Sequence, residues 1–159
     1  MKLATLCYVQ KDNQTLMLHR VGRDGDIHKE KYVGLGGKLE YKLEESPEEC
    51  VVREVKEESG LEVKPVLKGM LVIYNNGGRE SIQDDYFVFI YIAKEFRGQM
   101  KDKIDEGVLE WIDNQNLLNL NMWEGDRLFI KWINEKGIFS GKFIYKGNKL
   151  TNHEVVFYR

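Results

Sequence analysis

The sequence predicts an α/β (α+β) sandwich, a mixed sheet with a helix on either side. Three observations carry that expectation. Short runs of β-type residues recur along the chain, above all "DDYFVFIYIA" at 84–93. A segment opening at Ser46 and closing at Gly60 carries the start and stop signals of a helix. A second segment, from about Glu124 to Lys136, repeats Leu128, Phe129, Trp132 and Ile133 at helical spacing. Strands with helices between and after them bury their apolar faces by layering.

The elements follow in order. Leu3 to Val9 and Thr15 to Arg20 read as antiparallel strands joined by the turn-prone "KDNQ". The next stretch, "VGRDGDIHKEKYVGLGGK", is rich in glycine and charge and reads as a long loop, a kind that is uncommon without a task. The first helix comes next, then an apolar strand near Val66 to Tyr74, a turn at "NNGGRE", and the β-type run at 84–93. "VLEWI" is another short strand, and Gly137 supplies a stop for the second helix. The tail, "FSGKFIYKGNKLTNHEVVFYR", reads as a hairpin or a pair of edge strands.

A length of 159 residues suits one core, so a single domain over 1–159 is expected. The net charge of -2 and pI near 6.0 leave no dominant basic face, which excludes a nucleic acid polymer or an anionic membrane as main partner. Cys7 and Cys50 lie far apart, with neither a disulfide framework nor zinc-site spacing, and read as packed small residues in a reducing compartment. The amino end turns polar too soon for a signal peptide, and no apolar run approaches the roughly 20 residues of a membrane helix. The expectation is a soluble cytoplasmic chain, monomer or homodimer.

The first helix is acidic. Ser46, Pro47 and Glu49 form a capping box with proline at the first helical position. On that helix Glu54, Glu57 and Glu58 are spaced i, i+3 and i+4 and share one stripe, with Val51, Val52 and Val55 on the adjoining arc and Arg53 and Lys56 flanking. Like charges so placed cost roughly 0.2–0.5 kcal/mol per pair, so the stripe is either a solvated surface or a seat for a hard divalent cation. Mg²⁺ is the expected cofactor, with Mn²⁺ an alternative. The preceding "GLGGK" matches no P-loop, but its glycines permit close backbone approach and Lys38 could neutralise a phosphate.

"REVKEESGL" at 53–61, with seven residues separating Arg53 from Glu45 and with Gly37 upstream, resembles the signature of the Nudix family. The departure is a longer loop, 38–44, between Gly37 and Glu45. The likeness runs from about Leu3 to about Tyr145 and is nearest to the MutT-like branch, which sanitises oxidised purine nucleoside triphosphates. It implies a Nudix-type αβα sandwich and metal-dependent attack of water on a phosphoanhydride. By position, Glu57 and Glu58 would bind metal with the carbonyl of Gly36, Glu54 would be a ligand or the base, and Arg53 would hold the glutamates. Glu106 corresponds to a further acidic ligand or base, or else is a turn residue.

The same resemblance assigns a small-molecule nucleotide substrate, with 8-oxo-dGTP as the leading candidate, held by Thr5, Arg20, Leu35, Trp123 and Asp126. Trp123 would stack on a purine, unless it is a core tryptophan, and Asp126 would pair with its edge. Val33 occupies a slot where the branch carries an asparagine, and Gly125 one where it carries an aspartate, so Asn75, Asn119 or Asn121 are candidate substitutes. Two alternatives stand beside this reading: a nucleoside diphosphate-linked compound or guanosine alarmone as substrate, and a module that senses nucleotides without cleaving them. His19, His28 and His153 show no ligand spacing, and Trp111 and Trp132 are expected in the core.

Overall fold

The computed structural model describes residues 1–26, 28, 30–76 and 84–159. Among these, the strands are β1 (Lys2–Lys11), β2 (Gln14–His19), β3 (Tyr32–Val33), β4 (Glu62–Asn76), β5 (Tyr86–Arg97), β6 (Lys103–Ile104), β7 (Gly107–Asp113), β8 (Ile138–Lys146) and β9 (Lys149–Tyr158). The helices are α1 (Pro47–Ser59) and α2 (Glu124–Trp132), with short 3₁₀ turns at Tyr41–Leu43 and Asn114–Asn119. The strands run in the order β6-β7-β2-β1-β5-β4-β8-β9, and β3 pairs with β2. β1 with β5 and β4 with β8 are parallel, and the other pairs are antiparallel, so the sheet is mixed as expected.

Side-chain alternation along the central strands creates two cores. Cys7 and Val9 of β1 and Tyr91 and Ala93 of β5 pack with Val51 and Val55 of α1. Their neighbours Tyr8, Ile90 and Ile92 point the other way and pack with Phe129, Ile130 and Ile133, the last just past the end of α2. Each such buried side chain contributes about 1.5–3 kcal/mol, which is what holds a helix on each face.

The β1–β2 turn opens the molecule for a site. Asp12 (φ 52) and Asn13 (φ 61) are both left-handed, the geometry of a tight two-residue hairpin. Yet only Gln10–Thr15 and Lys11–Gln14 pair before the strands part. The glycine-rich segment fills the gap: Cys7 N–H donates to Leu35 O at 2.6 Å, Leu35 N–H to Cys7 O at 3.0 Å, and Thr5 N–H to Gly37 O at 2.8 Å. That wedge brings the long loop against β1, facing α1.

Several boundaries differ from the sequence expectation. β4 begins at Glu62 instead of near Val66, because its pairing with β5 skips Pro65 through a bulge, where a missing N–H costs no ladder bond. α2 ends at Trp132, short of Lys136, since Asn134 and Glu135 donate to carbonyls three residues back and tighten the last turn. Trp111 and Trp132 are half-buried at the margins of the two cores and not inside them. The tail is a hairpin, but β8 lies inside the sheet and only β9 is an edge. The turn expected at "NNGGRE" falls largely on 77–83, outside the described residues. Among the described residues no helix is long and apolar enough to cross a membrane.

Candidate active site

The start of α1 forms as its sequence dictates. Glu49 N–H donates to Ser46 Oγ and Ser46 N–H to Glu49 Oε1, both at 3.1 Å, with Pro47 at the first position. Gly60 (φ 84) closes the helix with its N–H on Lys56 O. Burial of Cys50, Val51 and Val55 sets the rotation of α1 and turns Arg53, Glu54 and Glu58 toward the loop 34–45.

Arg53 does not merely flank the acidic stripe; it binds into it. Nε and Nη2 form a fork on Glu45 at 2.9 and 2.7 Å, while Nη1 reaches Glu54 Oε1 at 3.0 Å and Glu57 Oε2 at 3.3 Å. The guanidinium holds the Glu45 carboxyl down at about 2, overcoming the opposing effect of burial. The lengthened loop leaves this fork intact. Its extra residues are taken up by the exposed turn Tyr41–Leu43 and by Glu44 in the left-handed region (φ 52), after which Glu45 returns to Arg53. Glu45, one letter of the family signature, is therefore a positioning residue.

The two glycines make room for carboxylates. A Cβ on Gly37 would sit 2.5 Å from the Glu54 carboxyl carbon, and one on Gly36 (φ 148) would sit 2.1 Å from Thr5 O. Gly36 N–H donates to Glu58 Oε1 at 2.8 Å. Burial pushes Glu58 up to about 8 despite that bond, and the charges of Glu54 and Glu106 push further against a weaker pull from Arg20. Burial also raises Glu54, with Arg53 opposing. Glu106 thus acts on Glu58 from the turn between β6 and β7, its own carboxylate 3.1 Å from Arg23.

Among the described residues no three carboxylate, imidazole or thiolate groups stand together at ligand spacing; Glu54 and Glu57 both lean on Arg53. The donor chemistry nevertheless fits a hard divalent cation. Every donor is oxygen, and Glu58 is a buried carboxylate pressed by two others and short of positive charge. The carbonyl of Gly36 lies on the same loop.

Beside Glu58 a cavity of about 190 Å³ runs between the sheet and α2. Thr5, Arg20, Val33, Gly36, Trp123 and Asp126, all expected at a site, line it together with Glu58. Leu35 does not. It is fully buried in the α1 core because its backbone pairs with Cys7, which turns the side chain inward. Lys38 is exposed and outside the cavity wall, with its carbonyl facing Cys50 and Arg53. None of Asn75, Asn119 and Asn121 lines the cavity either; Asn75 donates to Asp84 O at 2.6 Å and Asn121 to Glu30 O at 3.2 Å. His28, read as a bystander, does line it and accepts the Trp123 indole N–H at 2.8 Å. No sequence signal joins two residues 95 positions apart.

Larger hollows lie elsewhere, about 710 Å³ over Val52, Lys56 and Phe96 and about 850 Å³ around the β1–β2 turn. Neither is lined by Glu54 or Glu58, and the first carries the Lys56–Glu62 and Arg97–Glu62 ion pairs in its wall.

An acidic helix clamped by one arginine, a glycine loop folded over its carboxylates and a cavity leading from them define a hydrolase site of the Nudix type. A model of the NUDIX domain matches residues 1–133, and the chain belongs to the Nudix family. It is 31% identical over 143 residues to an uncharacterized Nudix hydrolase, YvcI, of Bacillus subtilis, covering 89% of this chain and 85% of that protein. Over 118 residues it is 30% identical to an oxidized purine nucleoside triphosphate hydrolase of Danio rerio, covering 74% and 72%. The crystal structure of the mutator MutT protein from Bacillus halodurans superposes with a TM-score of 0.83 at 31% identity, over 98% of this chain and 97% of that one. Within the family the chain is a hydrolase of MutT type with an α/β sandwich fold.

Proposed function

We propose that this protein is a Mg²⁺-dependent nucleoside triphosphate pyrophosphohydrolase acting on an oxidised purine such as 8-oxo-dGTP, with the monophosphate and pyrophosphate as products. One observation supports it above the others: Glu58 of the acidic helix and Trp123 and Asp126 of the α2 end line one continuous cavity. A nucleotide with its base by α2 therefore has its phosphates by α1.

In this reading Glu54, Glu57, Glu58 and the Gly36 carbonyl hold the cation, Mg²⁺ or Mn²⁺, with Glu106 as a further ligand. Bound there, the cation neutralises phosphate oxygens and acidifies a water molecule. Glu54, held between Gly37 and Arg53, would take a proton from water or serve as a ligand. Arg53 is the positioning residue that keeps Glu45, Glu54 and Glu57 together. Trp123 offers a ring face to the base, Asp126 a carboxylate to its edge, and Thr5, Arg20 and Val33 shape the rest of the wall.

Val33 favours a second reading with the same chemistry on another nucleoside diphosphate-linked compound, because it presents methyl groups where an amide would read a purine. A panel of nucleotides scored for pyrophosphate release separates the two. Brisk turnover of another compound with none of 8-oxo-dGTP removes the substrate claim and leaves the chemistry. Glu57→Gln, at an exposed position, is expected to abolish metal-dependent turnover without loss of folding. Unchanged turnover in that variant, or cleavage that persists in chelator, would overturn the mechanism.

A further inference from the structure

We propose that His28 is a positioning residue for base recognition: its neutral ring, by accepting the Trp123 indole N–H, sets the plane on which the purine stacks. This rests on the function proposed above and adds to it a residue outside the acidic helix.

The geometry is specific. Trp123 Nε1 lies 2.8 Å from His28 Nδ1, and the two rings meet edge-on at 85° with centroids 5.8 Å apart. An indole N–H can only donate, so Nδ1 must keep its lone pair and the ring proton must sit on Nε2. Trp123 is almost fully buried, and both residues line the cavity. The tryptophan is therefore oriented by this bond and not left to find its own plane.

The turn that delivers His28 is itself tied down. Lys31 N–H donates to His28 O at 2.9 Å, closing a turn with Glu30 left-handed (φ 67), and Lys31 Nζ lies 4.4 Å from the centre of the Trp123 ring. Glu30 N–H donates to Arg20 O and Arg20 N–H to Lys31 O, fastening the turn to the end of β2. On the other side Asn121 Nδ2 donates to Glu30 O, two residues before Trp123. The Asp26 carboxylate joins the Arg20 side chain at 2.7 Å to His28 N–H at 2.9 Å. One turn thus grips the tryptophan at its edge and over its ring. It also fixes Arg20, which lines the same cavity.

Charged groups that share the cavity with His28 include Arg20, Asp126 and Glu58, and Asp26 and Lys31 lie on its own loop. A protonated imidazole donates from both nitrogens and cannot accept the indole N–H.

The test uses the full chain with Mg²⁺ and 8-oxo-dGTP. His28→Leu removes the acceptor and should raise KM about 10-fold with kcat within about 2-fold, the scale of one lost buried hydrogen bond. His28→Asn places Oδ1 where Nδ1 was and should restore KM. Trp123→Phe keeps a ring and loses the N–H; combined with His28→Leu it should add little further. The indole N–H resonance of Trp123 should move in His28→Leu and much less in His28→Asn, a reading independent of turnover. Equal KM values in His28→Leu and the unaltered chain, or an additive double variant, would overturn the inference while the function stands. An unaltered chain that turns over no purine nucleoside triphosphate would sink the function and this inference together.

Discussion

Replacing Arg53 with lysine keeps the charge and removes the fork. Two guanidinium N–H groups sit on Glu45 at 2.7 and 2.9 Å and a third on Glu54 at 3.0 Å. A lysine, as a point donor, can serve one of these carboxylates. The Glu45 side chain is 6% exposed, so water cannot fully replace what is lost. Charge-assisted hydrogen bonds contribute about 1.5–3 kcal/mol each when buried, and Arg53 is itself only partly covered, so a loss of about 2–3 kcal/mol is expected. Glu45→Gln should lose a similar amount, and the double variant scarcely more than either, for a coupling energy of about 1.5–3 kcal/mol. Urea unfolding followed by tryptophan fluorescence measures it, and with a slope of about 2 kcal/mol/M each single variant moves the midpoint by about 1 M. The pH dependence has a definite sign. Glu45 is held at about 2 against an ordinary 4.5, so its contribution is complete above 4.5 and is lost as pH falls toward 2. After solvent screening that contribution is about 1–2 kcal/mol. The stability gap between the unaltered chain and Glu45→Gln should be level above pH 5 and narrow by about 1–2 kcal/mol on acidification. A coupling energy below about 0.5 kcal/mol, the value of an ordinary surface pair, would refute the view that this fork organises the site.

Gly37→Ala drives a Cβ to within 2.5 Å of the Glu54 carboxyl carbon, so kcat should fall at least about 10-fold while the melting temperature changes little; unaltered kcat would mean Glu54 has no fixed place in catalysis. The Tyr8 hydroxyl is fully buried with no hydrogen-bond partner among the described residues, so Tyr8→Phe should be neutral or stabilising by about 1 kcal/mol in thermal unfolding, and a clear loss would reveal a partner formed in solution. Mg²⁺ at about 100 times its Kd should stabilise the protein by about 2.7 kcal/mol, and Glu58→Gln should abolish that shift; an equal shift in the variant would place the cation elsewhere.

The local elements were legible because their causes are local. Ser46, Pro47, Glu49 and Gly60 specify α1 by hydrogen bonds within a few residues of themselves, and the spacing of Glu54 and Glu58 puts them on one face wherever the helix lies. "KDNQ" forms its turn for the same reason. The family signature adds Glu45 and Arg53, whose pairing survives a longer loop because an exposed 3₁₀ turn absorbs the extra length. The sequence is silent where position depends on a partner strand: Leu35 is expected at the ligand, but pairing with Cys7 turns it into the core.

What the sequence by itself determined is therefore the chemistry available: a capped acidic helix, glycines able to lie over it, and an arginine at the right step to gather its carboxylates. These depend on backbone propensities and short-range spacing. Only the tertiary structure decided which residues share the cavity. It brought Glu106 into the field of Glu58 and His28 to the indole of Trp123, and it left the asparagines that are candidate substitutes for Val33 outside the cavity wall. The reason is geometric: β1 and β2 part after two residue pairs, the loop must fill the gap, and the path it takes is set by the strands it meets.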